Sequence, residues 1–254
     1  MEIIKHALVT GGAKRIGAAI TRGLALDGWT VGIHYHTAVD EAHSLSEDLV
    51  KQGAKTYTVQ ADLTEQTKLD NLVSEAIKLG GPLTCLVNNA SVFEHDDLSS
   101  VSRRSWDLHL DINLWAPIRL SQDFAASFCS EQPGNIINIA DQRVLGVPPD
   151  FLSYTISKAA MWTMTQSLAI SLAPSIRVNA IGPGPTLPSP RQNVEEFRQQ
   201  ASHMPLGTGA SPEEIGLGVR YILSAQSLTG QPIALDGGQH LGWDFPGKNS
   251  PVFE

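Results

Sequence analysis

The chain has 254 residues and a formal net charge of −8 at neutral pH. Its 42% of hydrophobic and 17% of charged residues are typical of a globular protein with a large core, which excludes extensive disorder. The negative charge argues against nucleic acid and against an acidic membrane surface as partners, because neither gains from meeting a mostly negative body. No internal boundary, repeat or low-complexity tract divides the sequence, so we predict a single domain over residues 1–254.

The cysteines and the beginning of the chain indicate a cytoplasmic protein. Cys85 and Cys129 lie in apolar stretches without metal-ligand spacing, so we interpret both as reduced core residues and predict no metal site. The first residues lack a basic region joined to a long apolar run. No stretch reaches the ~18 apolar residues that predict a membrane span.

Short apolar runs rich in β-branched residues alternate with longer segments of helical periodicity, as in repeated βα units. The predicted strands are Ile3–Val9, Thr30–His34, Lys55–Val59, Leu83–Val87, Asn135–Ala140, Ile176–Ile181 and Pro232–Leu235. The predicted helices are 15–27, 38–52, 65–79, 103–130, 155–173 and 211–225. Continuously apolar strands indicate a sheet buried on both faces, so the predicted fold class is α/β: a doubly wound, Rossmann-like, seven-stranded and mainly parallel sheet flanked by helices. Ligands of such folds lie beyond the carboxyl ends of the strands.

Two segments depart from this alternation. Residues 182–210 contain prolines at positions 183, 185, 188, 190 and 205 and a short helical stretch near 193–201. The segment is either a substrate loop or an ordinary surface excursion, and its length within a compact domain favours the substrate loop. The tail over 241–254 carries three aromatic residues, Trp243, Phe245 and Phe253. We expect this tail to pack on a neighbouring subunit.

A glycine-rich turn follows the first predicted strand and leads into a helix. Its sequence is Thr10-Gly11-Gly12-Ala13-Lys14-Arg15-Ile16-Gly17. Glycine lets the backbone pass close to a pyrophosphate, whose charge is stabilised by the N–H groups and the positive end of the helix. Tight strand-to-helix turns use glycine too, but the position at the first βα junction favours dinucleotide binding.

The end of the second predicted strand indicates which dinucleotide is bound. Sites that prefer NAD usually carry Asp or Glu there, whereas this sequence reads His34-Tyr35-His36-Thr37. Arg15 and His36 are both able to donate to a phosphate, so we expect them to converge on the 2′-phosphate of NADP. NADP, used as NADPH, is the predicted cofactor.

Five further motifs occur in an order that resembles the short-chain dehydrogenase/reductase family, over nearly the whole chain. They are Asp62-Leu63, Asn88-Asn89-Ala90, Asn113, Tyr154-Thr155-Ile156-Ser157-Lys158 and Pro183-Gly184. Together with the glycine turn and the end of the second strand, the resemblance implies a set of cofactor contacts. These are Gly11, Lys14, Arg15, Ile16, Gly17, Tyr35, His36, Thr37, Asp62, Leu63, Asn89, Ala90, Tyr154, Lys158, Pro183 and Gly184. It also implies that Asn113 holds a water linking Lys158 to solvent and that the chain forms a homotetramer.

The tyrosine and lysine four positions apart share one face of a helix. An ammonium near a phenol favours the ionised phenol, so we expect Lys158 to lower the pKa of Tyr154 towards working pH. Tyr154 would then act as a proton donor or acceptor. Without the surrounding motifs, the two residues would be read as a surface pair on an amphipathic helix.

Thirteen positions before the tyrosine, the family usually has a serine, and this chain has Asp141. An ionised carboxylate only accepts hydrogen bonds, so it is a poor partner for a carbonyl oxygen and suits a substrate rich in N–H donors. In this the chain resembles pteridine reductases, a subgroup that carries Asp at that position. The subgroup implies that Phe93 stacks on a pterin ring. The substrate contacts predicted in this way are Arg15, Ser91, Phe93, Asp141 and Tyr154.

These residues predict an NADPH-dependent reductase that transfers hydride to a C=N bond of a pterin or dihydropterin. Tyr154 would protonate the ring with help from Asp141 and Lys158. One alternative is a carbonyl reductase acting on a ketone such as an oxoacyl thioester. That reaction needs the serine which this chain replaces with Asp141. Another is a non-catalytic NADPH-binding sensor, which intact Tyr154, Lys158 and Asn113 disfavour.

Overall fold

The strands of the chain form one parallel sheet of seven, in the order β3-β2-β1-β4-β5-β6-β7. The computed structural model describes residues 4–129, 131–189 and 191–242. The strands are β1 His6–Val9, β2 Thr30–Tyr35, β3 Lys55–Gln60, β4 Cys85–Asn88, β5 Gly134–Ile139, β6 Ile176–Pro183 and β7 Pro232–Leu235. Every neighbouring pair is parallel. The predicted fold is confirmed, and its sheet is wholly rather than mainly parallel.

Helices cover both faces of the sheet. They are α1 Arg15–Leu26, α2 Val39–Lys51, α3 Gln66–Gly80, α4 Arg103–Leu110, α5 Ala116–Ser127, α6 Leu152–Ser171, α7 Val194–Ser202 and α8 Pro212–Ser224. The core alternates along β1: Ala7 and Val9 pack with α1, α2 and α8, whereas Leu8 packs with α3, α5 and α6. Successive side chains of a strand point to opposite faces, so one short apolar strand serves both cores.

The single helix predicted over 103–130 is wrong. It is two helices, α4 and α5, joined by a π-helical turn over Asp111–Trp115. Pro117 lies at the beginning of α5 and lacks the N–H that an α-helix would direct to the carbonyl of Asn113. Such π turns often occur at functional sites, and this one carries the predicted active-site residue Asn113.

The two cysteines differ in their surroundings. Cys85 is buried in β4, and burial raises the pKa of its thiol to about 12, so it is unreactive at neutral pH. Cys129 is exposed, which contradicts its interpretation as a core residue, because it follows the end of α5. No helix within the described residues is long and apolar enough to cross a membrane.

Several predicted features lie outside the described residues. They are Ile3 of the first predicted strand, the end of the 103–130 helix at Ser130, Pro190, and the aromatic residues Trp243, Phe245 and Phe253 of the tail. Within 182–210, the short helix predicted near 193–201 is confirmed as α7, and β6 extends to Pro183.

Candidate active site

The glycine-rich turn lies beyond the carboxyl end of β1, packed tightly on the segment after β4. Gly11 has a φ of +59°, a left-handed conformation that favours glycine. A Cβ at Gly17 would lie 2.1 Å from the carbonyl oxygen of Gly11, so α1 could not approach the turn with any larger residue there. A Cβ at Gly11 would lie 3.1 Å from the Cα of Ala90.

Two polar residues hold this turn in place. The Nδ2 of Asn89 donates to the carbonyl oxygens of Thr10 and Gly11, at 2.9 and 3.1 Å. In return, the Oγ1 of Thr10 accepts from the backbone N–H groups of Asn89 and Ala90, at 2.9 and 3.0 Å. Asn89 and Ala90 therefore fix the shape of the glycine turn.

His34 supports the turn from below. Its Nδ1 accepts from the N–H of Gly11 at 3.0 Å, so Nε2 carries the proton and donates to the carbonyl of Ala61 at 3.1 Å. The residue is only 1% exposed, and burial lowers the pKa of His34 to about 4. The imidazole is therefore neutral, as both hydrogen bonds require.

Because the pKa of His34 is lowered, we expect stability to fall on acidification. In the unfolded chain, His34 has its ordinary pKa of 6.5 and binds a proton as the pH falls below that value. In the folded chain, the same residue stays neutral until about pH 4, so acidification favours the unfolded chain. The expected loss between pH 7 and pH 5 is about 2 kcal/mol of the free energy of unfolding. Urea titrations at the two pH values measure it.

The matched variant for this prediction is His34→Gln, which cannot titrate. Burial also lowers the pKa values of His6 and His109, and these groups act in the same direction. The decisive quantity is therefore the difference between the acid-induced losses of the wild type and the variant. Equal losses in both proteins would contradict the role given to His34.

Arg15 and His36, the two residues predicted to bind the 2′-phosphate, have different partners in the structure. The Nε2 of His36 lies 3.2 Å from Oδ2 of Asp62, and Lys14 pairs with Glu41 at the beginning of α2. The guanidinium of Arg15 instead donates to the carbonyls of Leu187 and Pro188, at 3.2 and 3.0 Å. Arg15 therefore binds the 182–210 loop and does not meet His36. Arg15 has a φ of +52°, a left-handed conformation that no sequence pattern indicated.

Asp141, after β5, meets Tyr154 of α6. The hydroxyl of Tyr154 donates to Oδ2 of Asp141 at 2.7 Å. Lys158 lies one turn further along α6, and its Nζ donates to the carbonyl of Ile139 at 2.9 Å. Tyr154 is 6% exposed and Lys158 is 1% exposed. A carboxylate, a phenol and an ammonium therefore lie close together in a site from which solvent is largely excluded.

The expectation that Lys158 lowers the pKa of Tyr154 is wrong. Burial, followed by the charge of Asp141 and the hydrogen bond to it, raises the pKa of Tyr154 well above its usual range. Burial also lowers the pKa of Lys158 to about 8, which weakens the ammonium as a source of positive charge. Tyr154 is thus held as a neutral phenol that carries its proton at neutral pH.

Asn113 supports the active site from the π turn. Its Oδ1 accepts from the N–H of Val92 at 2.8 Å and from the hydroxyl of Ser91 at 3.1 Å. Its Nδ2 donates to the carbonyl of Val92 at 2.9 Å and to Oγ of Ser157 at 3.0 Å. All four hydrogen-bonding positions of the side chain are filled. Asn113 therefore ties the 91–92 segment to α6, close to Tyr154 and Lys158.

Phe93 has an aromatic partner that the sequence did not suggest. Its ring stacks on Phe151, with centroids 4.3 Å apart and planes at 12°. It also meets Tyr154 edge to face, with centroids 4.6 Å apart. One face of Phe93 is covered by Phe151, so a substrate ring could stack only on the opposite face.

A buried polar network, also missed from the sequence, lies directly behind Tyr154. The N–H of Glu94 donates to Nε2 of His109 at 3.0 Å, so Nδ1 carries the proton and donates to Oγ of Ser153 at 2.7 Å. The hydroxyl of Ser153 donates to Asp96, which also accepts from the N–H of Ser153 at 3.0 Å. The network joins the loop after β4 to the first turn of α6. Its members are far apart in sequence and form no motif, so no sequence signal could have found them.

Many of the predicted residues line one cleft, which measures about 260 Å³ and so accommodates a small molecule. They are Arg15, Ile16, Asn89, Ser91, Phe93, Asp141, Tyr154, Lys158, Pro183 and Gly184. Residues that the sequence did not suggest lie in the same cleft: Gln142, Arg143, Gln192, Phe197, Gln200 and Gln239. The predicted residues outside this lining lie in the glycine turn, in the π turn, directly after β4 or at the ends of β2 and β3. They are Gly11, Lys14, Gly17, Tyr35, His36, Thr37, Asp62, Leu63, Ala90 and Asn113.

A glycine turn at the first βα junction and a buried Tyr–Lys pair at the same edge of a parallel sheet define a dinucleotide-dependent oxidoreductase of the Rossmann type. A protein-family model with the description enoyl-(acyl carrier protein) reductase matches residues 11–240 of the chain. The chain belongs to the short-chain dehydrogenase/reductase family of oxidoreductases.

Among solved structures, FolM alternative dihydrofolate reductase 1 from Brucella suis, in complex with NADP, is 44% identical. It has a TM-score of 0.93, with 96% of this chain and 99% of that chain covered. A short-chain dehydrogenase/reductase from Serratia marcescens is 31% identical, with a TM-score of 0.88 and coverage of 93% and 98%. The 3-oxoacyl-[acyl-carrier-protein] reductase FabG of Staphylococcus aureus is 28% identical over 246 residues, 95% of this chain and 100% of that protein.

Proposed function

We propose that the protein is an NADPH-dependent reductase of a C=N bond in a pterin or dihydropterin. The observation that carries this proposal is the 2.7 Å hydrogen bond between Tyr154 and Asp141 at the cleft. It sets a proton donor beside a group that accepts hydrogen bonds, as a nitrogen heterocycle with N–H groups requires. The 44% identity to a protein described as an alternative dihydrofolate reductase supports the same substrate class.

The residues present fit a bound NADPH. The glycine turn leaves no room for a Cβ at Gly17 and begins α1, whose first N–H groups suit a pyrophosphate. Lys14 and His36 lie at the exposed side of this turn and of β2, where a 2′-phosphate would find two donors. When bound, NADPH would supply the hydride.

The protein's own residues would place the substrate and move the proton. Tyr154, held neutral by burial and by Asp141, would donate its proton to the ring nitrogen of the reduced C=N bond. Asp141 would accept a hydrogen bond from a substrate N–H. Lys158, bound to the carbonyl of Ile139, would stand as the nearby positive charge when the phenol becomes a phenolate.

A carbonyl reductase acting on an oxoacyl thioester is the second candidate. The similarity to the 3-oxoacyl-[acyl-carrier-protein] reductase FabG and the matching family description favour it. Against it, the residue at position 141 is a carboxylate, which cannot donate to a carbonyl oxygen. The non-catalytic sensor lacks a supporting observation, since Tyr154 and Lys158 are in place.

NADPH oxidation by the purified protein separates these functions. The substrates to compare are dihydropterins, dihydrofolate and a 3-oxoacyl thioester. We expect turnover with the heterocycles and little with the thioester. Preferential turnover of the thioester would replace the pterin proposal, and no turnover with any substrate would favour the sensor.

The cofactor preference is expected to depend on Lys14 and His36. Replacing both with alanine removes two charge-assisted contacts and should lower the ratio of kcat/KM for NADPH over NADH by about 10- to 100-fold. Arg15→Ala is the matched control, since its guanidinium holds the 182–210 loop. We expect that variant to raise the KM for the pterin and to keep the cofactor ratio. If Arg15→Ala lowered the cofactor ratio and the double variant did not, Arg15 would be the residue that binds the 2′-phosphate.

We also propose that the protein is a homotetramer and that 182–210 is its substrate loop. Exposed apolar residues on α8, Leu217 and Tyr221, are 55% and 58% exposed and would be covered in an assembly. The mass in solution should be about four times the 27.3 kDa of one chain, and a monomer at micromolar concentration would contradict the assembly. The single domain over 1–254 and the cytoplasmic location stay predictions.

A further inference from the structure

Arg143 lies in the cleft two residues after Asp141, in a short 3-10 turn over Gln142–Val144. Asp141 caps this turn, because its Oδ1 accepts from the N–H of Arg143 at 2.9 Å. The backbone therefore fixes Arg143 relative to the carboxylate that meets Tyr154. Both side chains line the same cleft.

The guanidinium of Arg143 is buried against aromatic rings. Its central carbon lies 4.8 Å from the ring centre of Phe151, 5.3 Å from that of Phe93 and 5.9 Å from that of Tyr154. The whole residue is only 8% exposed. Such contacts hold a cation in position through the ring faces but satisfy none of its N–H donors.

The donors of this guanidinium are not all used within the protein. The nearest carboxylate contact, from Nε to Oδ1 of Asp141, is 3.9 Å, beyond hydrogen-bond distance. Nη1 is buried without a hydrogen-bond partner among residues 4–129, 131–189 and 191–242. A buried guanidinium whose donors are not all filled is costly, and the side chain of Arg143 lines the cleft, so a ligand acceptor that contacts the guanidinium would offset this cost.

Resting on the proposed function, we propose that Arg143 determines specificity by donating a hydrogen bond to the ring carbonyl oxygen of the pterin. Asp141 only accepts and Arg143 only donates, so together they match a heterocycle that presents N–H groups and a carbonyl oxygen. A simple ketone offers no N–H to Asp141. The pair thus selects a ring of the pterin type.

The test compares two ligands that differ at the proposed contact. A pterin carries the carbonyl, and 2,4-diaminopteridine has an amino group in its place. Their dissociation constants are measured by fluorescence quenching on the NADP⁺ complex of the wild type, Arg143→Met and Arg143→Lys. Arg103→Met is the matched control, because Arg103 is exposed on α4 and pairs with Asp107.

We expect Arg143→Met to weaken pterin binding by about 10- to 100-fold, as for loss of a charged hydrogen bond, and to leave the diaminopteridine unchanged or tighter. Arg143→Lys should recover part of the pterin affinity, and Arg103→Met should have no effect. Equal weakening of both ligands, or none, would overturn the role of Arg143. If Arg143→Met fails to fold, Arg143→Lys with the two ligands decides in the same way. A wild type that binds neither ligand would contradict the proposed function itself.

Discussion

Replacing Tyr154 with phenylalanine is expected to lower kcat for dihydropterin reduction by about 10²- to 10⁴-fold, the usual contribution of a positioned proton donor. The variant keeps the ring that packs edge to face on Phe93. It loses the hydroxyl whose proton burial and Asp141 retain. Steady-state kinetics with saturating NADPH measure the effect, and NADPH affinity should change little.

Tyr221→Phe is the matched control for this experiment. Tyr221 lies on α8, away from the residues that line the cleft, and phenylalanine keeps the ring that the proposed assembly would cover, so removing the hydroxyl should leave kcat unchanged. A Tyr154→Phe variant that retained near wild-type kcat would show that the proton comes from another group. An unfolded variant is recognised by its circular dichroism and is excluded from the comparison.

Replacing Asp141 with serine is expected to lower kcat/KM for the dihydropterin by about 10- to 100-fold, because a charged acceptor to the substrate is lost. Reduction of a ketone should rise at the same time, since serine can donate to a carbonyl oxygen. Removing the carboxylate also removes a charge that raises the pKa of Tyr154, so that pKa should fall. The ratio of the two kcat/KM values measures the switch.

Asp141→Asn separates charge from shape, because the amide keeps the size of the side chain and one acceptor oxygen. We expect its kcat/KM for the dihydropterin to lie between the values of the wild type and of Asp141→Ser. Asp107→Asn, on the exposed side of α4, should have no effect. Full dihydropterin activity in Asp141→Ser would remove Asp141 from the mechanism.

The sheet could be predicted from the sequence because its strands are short, apolar and buried on both faces. β7 begins and ends where predicted, at Pro232 and Leu235. The helices were harder, since their ends depend on distant residues. α6 begins at Leu152 rather than at 155 because Asp96, from the loop after β4, binds the N–H of Ser153.

Many residues predicted for the candidate site do line one cleft, but their contacts there differ from those expected. Motif spacing indicated Tyr154, Lys158 and Asp141, and the structure brings the phenol and the carboxylate together. The direction of the pKa of Tyr154 was wrong, because burial is a property of the folded chain and outweighs a lysine that binds elsewhere.

The other unpredicted contacts involve two residues in unusual backbone conformations. Arg15 and Phe151 have φ values of +52° and +58°, a region that side chains other than glycine seldom adopt. Arg15 binds the 182–210 loop, and Phe151 stacks on Phe93. Arg15 and Phe93 line the candidate cleft.

In the proposed complex, Asp141 and Tyr154 contact the same edge of a pterin ring that lies above the dinucleotide. A crystal structure of the protein with NADP⁺ and a dihydropterin is the decisive experiment. We expect a ring N–H within hydrogen-bond distance of the Asp141 carboxylate and a ring nitrogen within that distance of the Tyr154 hydroxyl. A ring bound with neither group in contact, or bound outside this cleft, would contradict it.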